Sequence, residues 1–96
     1  MITAAKAKII TERQEVKDRA NRVVEAIAKD IEKRATIGCR ELVIRMDSIG
    51  KYFTFKEIIF NDVGSLWAGI YPLVEKRFKE ANFTISCGQY GFTISW

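Results

Sequence analysis

The 96-residue sequence contains no histidine, a single proline and two cysteines. Without histidine it lacks the side chain most often used as a general base near neutral pH, and the commonest metal ligand. Cys39 and Cys87 alone cannot complete a zinc site. Two thiols in such a chain read as small buried apolar groups rather than as a disulfide framework. No apolar run approaches the length of a membrane span, and Met1-Ile2-Thr3-Ala4-Ala5-Lys6 is not the start of a signal peptide. The expected setting is reducing and cytoplasmic, with no membrane partner. No low-complexity stretch or linker interrupts the chain, so residues 1–96 are expected to form one domain, with 1–38 a helical arm and 39–96 an α+β portion.

What is present is ordinary in amount. Hydrophobic residues make up 48% and aromatics 11%, enough for a modest core. The 16 basic residues outnumber the 12 acidic ones by only four, for a pI near 9.2. Acids and bases alternate along the chain, so the field they create is mixed in sign and selects no highly charged partner.

The first third is helical. Thr3 is placed to cap a short opening helix through Ile10, and Thr11-Glu12-Arg13-Gln14 has the form of a capping box. Val16, Ala20, Val23, Val24, Ile27, Ile31 and Ala35 then recur at spacings of three and four, a single apolar stripe on a helix over residues 12–36. Glu15 and Arg19, Asp18 and Arg22, Glu25 and Lys29, and Asp30 and Arg34 are acid-before-base pairs one turn apart, a spacing that supports helices. Gly38 supplies the stop.

The segment Glu41-Leu42-Val43-Ile44-Arg45-Met46 alternates as a strand, with Leu42, Ile44 and Met46 on one face. Tyr52-Phe53-Thr54-Phe55 reads as a short strand or an aromatic loop, and Ile58-Ile59-Phe60 as a second short apolar run. Asn61-Asp62-Val63-Gly64-Ser65 offers caps for a second helix carrying Leu66, Trp67, Ile70, Leu73, Val74, Phe78 and Ala81, with Pro72 either kinking it or opening a shorter one.

The tetrapeptide Phe-Thr-Ile-Ser occurs twice, at residues 83–86 and 92–95, around Cys87-Gly88-Gln89-Tyr90-Gly91. A two-residue turn at Gly88-Gln89 sets Phe83 opposite Ile94, Ile85 opposite Phe92 and Cys87 opposite Tyr90. Every apolar side chain, Trp96 included, then lies on one face, with Thr84, Ser86, Thr93 and Ser95 on the other. A hydrophobic terminal residue in this position predicts a docked C-terminus. The resulting fold class is α+β: a long N-terminal amphipathic helix, and a small, mostly antiparallel sheet with a second helix and a C-terminal β-hairpin.

No pattern of comparable strength speaks to chemistry. Ser48 beside Asp47 and near Lys51 reads as a polar turn before it reads as an activated nucleophile. Asp47, Glu57 and Asp62 lack the close spacing of an oxygen-ligand cage. Gly88-Gln89-Tyr90-Gly91 lies between strands, not between a strand and a helix as a phosphate loop would. Cys39 has a cationic neighbour in Arg40, as reactive thiols do, but an inert thiol is the plainer reading. No catalytic residue, cofactor or metal is expected, and the chain reads as non-enzymatic.

A 25-residue helix spans about 37 Å, whereas a compact domain of this size has a radius of gyration of only ~12–13 Å. Val16, Ala20, Val23, Val24, Ile27 and Ile31 are therefore the candidate interface of a homo-oligomer in which the long helices of several copies pack together. The competing expectation is that the helix lies across its own sheet. Nucleic acid is the second functional reading, through Lys6, Lys8, Arg13, Lys17, Arg19 and Arg22, although Glu12, Glu15 and Asp18 interleave with them.

The layout resembles a group of short α+β accessory proteins of tailed bacteriophages. The resemblance is carried by the opening Ile2-Thr3-Ala4-Ala5-Lys6-Ala7-Lys8-Ile9-Ile10-Thr11, the helix stop at Gly38, the strand at residues 42–46, the helix-to-strand passage Ala81-Asn82-Phe83-Thr84-Ile85 and the closing Ser95-Trp96. The chain departs from that group's pattern at Asn82-Phe83, where Gly-Tyr is expected, and in its aromatic-rich residues 52–60. The resemblance implies a phage or prophage accessory protein, a class whose functions are largely unassigned; the chain itself is expected to act by binding, to a host or defence protein, a virion component or a small ligand. The resemblance implies no catalytic residues.

Overall fold

A computed structural model describes all residues, 1–96. Helix α1 spans Ala4–Thr36, strand β1 Glu41–Arg45, a 3-10 helix Met46–Tyr52, helix α2 Phe55–Phe60, helix α3 Val63–Glu80, and strands β2 and β3 Thr84–Cys87 and Gly91–Ser95. The α+β class follows the sequence expectation, with one long helix, a second main helix and a three-stranded antiparallel sheet in the order β1-β3-β2. Residues 52–60 depart from it. They form no strand; the 3-10 helix ends among them and α2 follows.

Helix α1 is one element where two were expected. Thr3 caps it, accepting from the Lys6 amide at 3.1 Å. The expected capping box at Thr11 does not form, and its hydroxyl donates to the Ala7 carbonyl one turn back, as a mid-helix threonine does. The helix ends in a paired-bond stop: the Gly38 amide donates to Ala35 and the Cys39 amide to Arg34. Gly38 takes φ +89°, the left-handed value such a stop requires.

Helix α3 ends in the same way. Asn82, at φ 68°, takes the glycine's place, and its amide and that of Phe83 donate to Lys79 and Phe78. The apolar contact that accompanies this motif is present, with the Phe83 and Phe78 rings edge to face at 5.6 Å. Pro72 lies inside α3 on the solvent side, so the unpartnered carbonyl one turn earlier faces water.

All 17 buried residues are apolar and form one core. The inner face of the sheet contributes Leu42, Ile44, Phe92 and Ile94. Helix α3 contributes Leu66, Trp67, Ile70, Val74 and Phe78, and α1 contributes Ala20, Val23, Val24, Ile27 and Ile31. Trp67 stacks on Phe92 at 5.1 Å, and Tyr71 closes on both rings.

Five of the six residues expected at an oligomer interface are thus spent inside the protomer, and Val16 is half-buried. The sheet and α3 cover the stripe from Ala20 to Ile31, so that face offers nothing to a second copy. Residues 1–15 are instead exposed throughout. The free arm therefore ends near Glu15, and the C-terminal half of α1 belongs to the body. The longest dimension is 54 Å, about the length of a 33-residue helix, and the radius of gyration of 15.1 Å exceeds the ~12–13 Å of a compact chain.

The hairpin register also differs. Ile85 pairs with Ile94 and Cys87 with Phe92, so the turn is Gln89-Tyr90, closed by the Gly88 amide donating to the Gly91 carbonyl at 2.8 Å. Moving a turn by one residue shifts pairing by two, and an even shift leaves every side chain on its expected face. Tyr90 alone leaves the apolar side, for the exposed turn tip. The C-terminus is docked through its backbone, with the Trp96 amide donating to Arg40 at 3.0 Å, but the indole remains 38% exposed against Phe83.

Gly91, at the start of the central strand, lies against the β1 backbone. A β-carbon there would collide with the Ile44 carbonyl oxygen and stand 2.9 Å from the Arg45 α-carbon. At Gly38 a β-carbon meets nothing, and only the backbone conformation objects. Gly91→Ala is therefore expected to cost about 3 kcal/mol or more and Gly38→Ala about 1 kcal/mol, an ordering that urea unfolding of the two variants checks.

Candidate functional site

The local sequence Thr54-Phe55-Lys56-Glu57 starts α2 with a complete capping box. The Glu57 amide donates to the Thr54 hydroxyl, and the Glu57 carboxylate accepts from the Thr54 amide at 2.9 Å. Six residues are too few for a helix to persist unaided. Here a single side chain supplies the tether. Glu57 Oε2 accepts from Arg19 Nε at 2.7 Å and Oε1 from Arg22 Nη2 at 2.5 Å, fixing α2 to one flank of α1. Burial opposes ionisation of Glu57, but the Thr54 amide and the Arg19 and Arg22 guanidiniums outweigh it and hold the carboxyl at about 2.

A parallel link lies one step earlier in the chain. Tyr52, buried, donates its hydroxyl to Asp30 at 2.7 Å, and Lys51 approaches the same carboxylate at 3.4 Å while its ammonium sits over the Tyr52 ring. Burial and the Asp30 hydrogen bond both push the Tyr52 phenol up. Desolvation works against Asp30, but the Tyr52 and Lys51 hydrogen bonds outweigh it and lower its carboxyl. Asp30 and Glu57 thus bind the segment from the 3-10 helix to α2 along α1.

The consequence for α2 is an inverted helix. Its acidic residue, Glu57, points inward, while its apolar residues and Lys56 are left exposed. None of its six residues is buried, with Phe55 79%, Phe60 74%, Ile59 55% and Ile58 39% exposed. Four large apolar side chains in one short helix make the kind of contiguous patch that marks an interaction site on a soluble domain.

A second apolar feature lies on the arm. Ile9, Val16 and Val23 recur at intervals of seven, so the stripe that enters the core at Val23 runs outward along the free part of α1, with Ile2 seven residues further back, just ahead of the Thr3 cap. Ile2, Ile9 and Ile10 are about half exposed. At the root of the arm, Ile10, Val16, Lys17 and Leu73 line a shallow groove between α1 and α3.

The other candidate residues are not brought together. Arg19 and Arg22 are committed to Glu57, while Lys6, Lys8, Arg13 and Lys17 stay exposed along the arm. None of the four i,i+4 pairs expected along α1 forms: Arg19, Arg22 and Asp30 have taken tertiary partners, Asp18 accepts from Gln14, and nothing in the structure explains why Glu25 and Lys29 stay apart. Asp47, Glu57 and Asp62 form no cluster: Asp47 pairs with Arg45, and Asp62 caps α3 at the Ser65 amide. Ser48 donates to Asp47, and Lys51 serves Asp30. Cys39 is half-buried; Cys87 is exposed, 3.0 Å from the Tyr71 hydroxyl.

The apolar patch on α2 was missed from sequence because Tyr52-Phe53-Thr54-Phe55 alternates like a strand. The signal that identifies the helix is the Thr54 to Glu57 capping-box spacing.

The fold is thus an α+β domain with a three-stranded antiparallel sheet, an arm and an inverted helix. No helix is long and apolar enough to cross a membrane. No family model matches the sequence, and neither a curated protein nor a solved structure matches it.

The depressed carboxyl of Glu57 contributes stability that is present above its ordinary value of 4.5 and is lost as pH falls toward about 2. Glu57→Gln is expected to cost about 1–2 kcal/mol at neutral pH. The gap to the parent protein should narrow below pH 4.5 and close near pH 2, which urea titrations at descending pH check.

Proposed function

We propose that this chain is a non-enzymatic binding protein that assembles with itself, an accessory protein of the tailed-phage type that its layout resembles. The observation that carries this reading is α2: an apolar helix held outward by an ionised anchor. Phe55, Ile59 and Phe60 keep more than half of their surface in water. That remaining surface gains when another surface removes it from water, about 25 cal/mol for each Å² buried. A protruding apolar patch suits contact with protein, so a host or defence protein, or a virion component, fits better than a small ligand, which binds in concave sites.

Nucleic-acid binding remains the second reading. It draws on Lys6, Lys8, Arg13 and Lys17, exposed on the arm, but Glu57 neutralises Arg19 and Arg22, and Glu12, Glu15 and Asp18 lie among the free bases. A basic track of that kind binds phosphate with strong salt dependence.

Light scattering on the purified chain at high micromolar concentration is expected to give a mass above the 11.0 kDa of one copy. A mass that stays at one copy removes self-assembly. Retention of oligonucleotides at low salt that is lost as salt rises would favour the second reading instead.

A further inference from the structure

Resting on the self-assembly reading above, we propose that a second copy of this chain is received by a two-part apolar surface, the outward face of α2 and the isoleucine side of the N-terminal arm, in a twofold dimer. Three observations lead there.

The first is area. Taking roughly 200 Å² for a whole aromatic side chain, the exposed parts of Phe55, Ile58, Ile59 and Phe60 offer about 400–500 Å². Ile2, Ile9 and Ile10, with the small alanines between them, add a patch of similar order. A stable specific interface buries roughly 800 Å² on each partner. Either patch alone gives a weak contact, and a twofold contact that covers both reaches what a lasting dimer needs.

The second is the arm itself. Residues 4–15 are helical with every residue exposed. A helix of about twelve residues without tertiary contacts is marginal in water. The packed half of α1 nucleates the arm, but nothing within the protomer covers the Ile9 side.

The third is charge. Around the arm stripe lie Lys6, Lys8 and Arg13 together with Glu12 and Glu15, all exposed. In a twofold contact each subunit presents the same surface, so a rim of one sign would repel itself, while a rim of both signs can complement itself. Glu57 takes Arg19 and Arg22 out of the balance beside α2, leaving Lys56 as the exposed charge of that helix. A strongly acidic or nucleic-acid partner would select a rim of a single sign; a second copy does not.

The test is sedimentation equilibrium of the full chain over micromolar concentrations, with three variants. Phe55→Ser combined with Ile59→Ser removes the two apolar groups of α2 that lie opposite Glu57, and Ile9→Glu places a charge on the arm stripe. Val43→Ser is the control, since Val43 is exposed on the outer face of the sheet, away from both patches. None of these side chains is in the core, and circular dichroism confirms that each variant is folded.

The parent is expected to dimerise. The α2 double variant should weaken the dimer by roughly thirtyfold or more and Ile9→Glu by about tenfold or more, while Val43→Ser leaves it unchanged. A monomeric parent overturns both this inference and the self-assembly reading. A dimer insensitive to the α2 and arm variants, or broken by Val43→Ser, overturns this inference alone. A monomer that sediments with phosphatidylserine–phosphatidylcholine vesicles, and ceases to when Phe55 and Ile59 are replaced, assigns the surface to lipid and overturns the dimer.

Discussion

The burial of one stretch of α1, from Ala20 to Ile31, is the constraint on which the rest of the molecule depends. Those five apolar residues are the floor on which the sheet and α3 pack, and Val23 and Ile27 are fully excluded from water. Each such side chain contributes on the order of 1.5–3 kcal/mol by its removal from water. A body of 29 × 23 Å in its shorter dimensions can satisfy only about half of a helix some 50 Å long. The excess length becomes the arm. Its exposed isoleucines follow from the mismatch between a continuous stripe and a small domain.

Electrostatics then decides what the remaining apolar residues do. Asp30 and Glu57 each draw the chain between β1 and α3 onto the flank of α1, Asp30 through Tyr52 and Lys51 and Glu57 through Arg19 and Arg22. A partly buried carboxylate must be paired to stay ionised. Once Glu57 faces the two arginines, the helical period turns Phe55 and Ile59 to the opposite side. The outward apolar face and the half-buried ion pair are therefore two sides of a single arrangement. Relieving either would require rotating α2 and losing the other.

Much of the fold was legible. The α1 stripe, the α3 core positions, the stop at Gly38 and the apolar face of the hairpin all follow from local periodicity and turn chemistry. The failures have physical causes. Thr11 and Thr54 both stand three residues before a Gln or Glu, but Thr11 lies within a stretch already nucleated as helix, where its hydroxyl bonds backward. The hairpin turn was misplaced by one residue because side-chain alternation has period two and cannot distinguish registers that differ by two. Ile31 and Ile9 belong to the same stripe, and nothing local in the sequence distinguishes the covered one from the free one.

By itself, the sequence determined which side chains share a face of each helix and strand, where the long helices stop and that the fold is α+β, because these are set by contacts within a few residues. Only the tertiary structure decided which half of α1 is buried and that residues 55–60 form an inverted helix rather than a strand or loop. It also decided that Arg19 and Arg22 serve Glu57 rather than the acids one turn away. Each of those outcomes depends on groups more than thirty positions apart in the chain meeting in space, where burial and ion pairing outweigh local propensity.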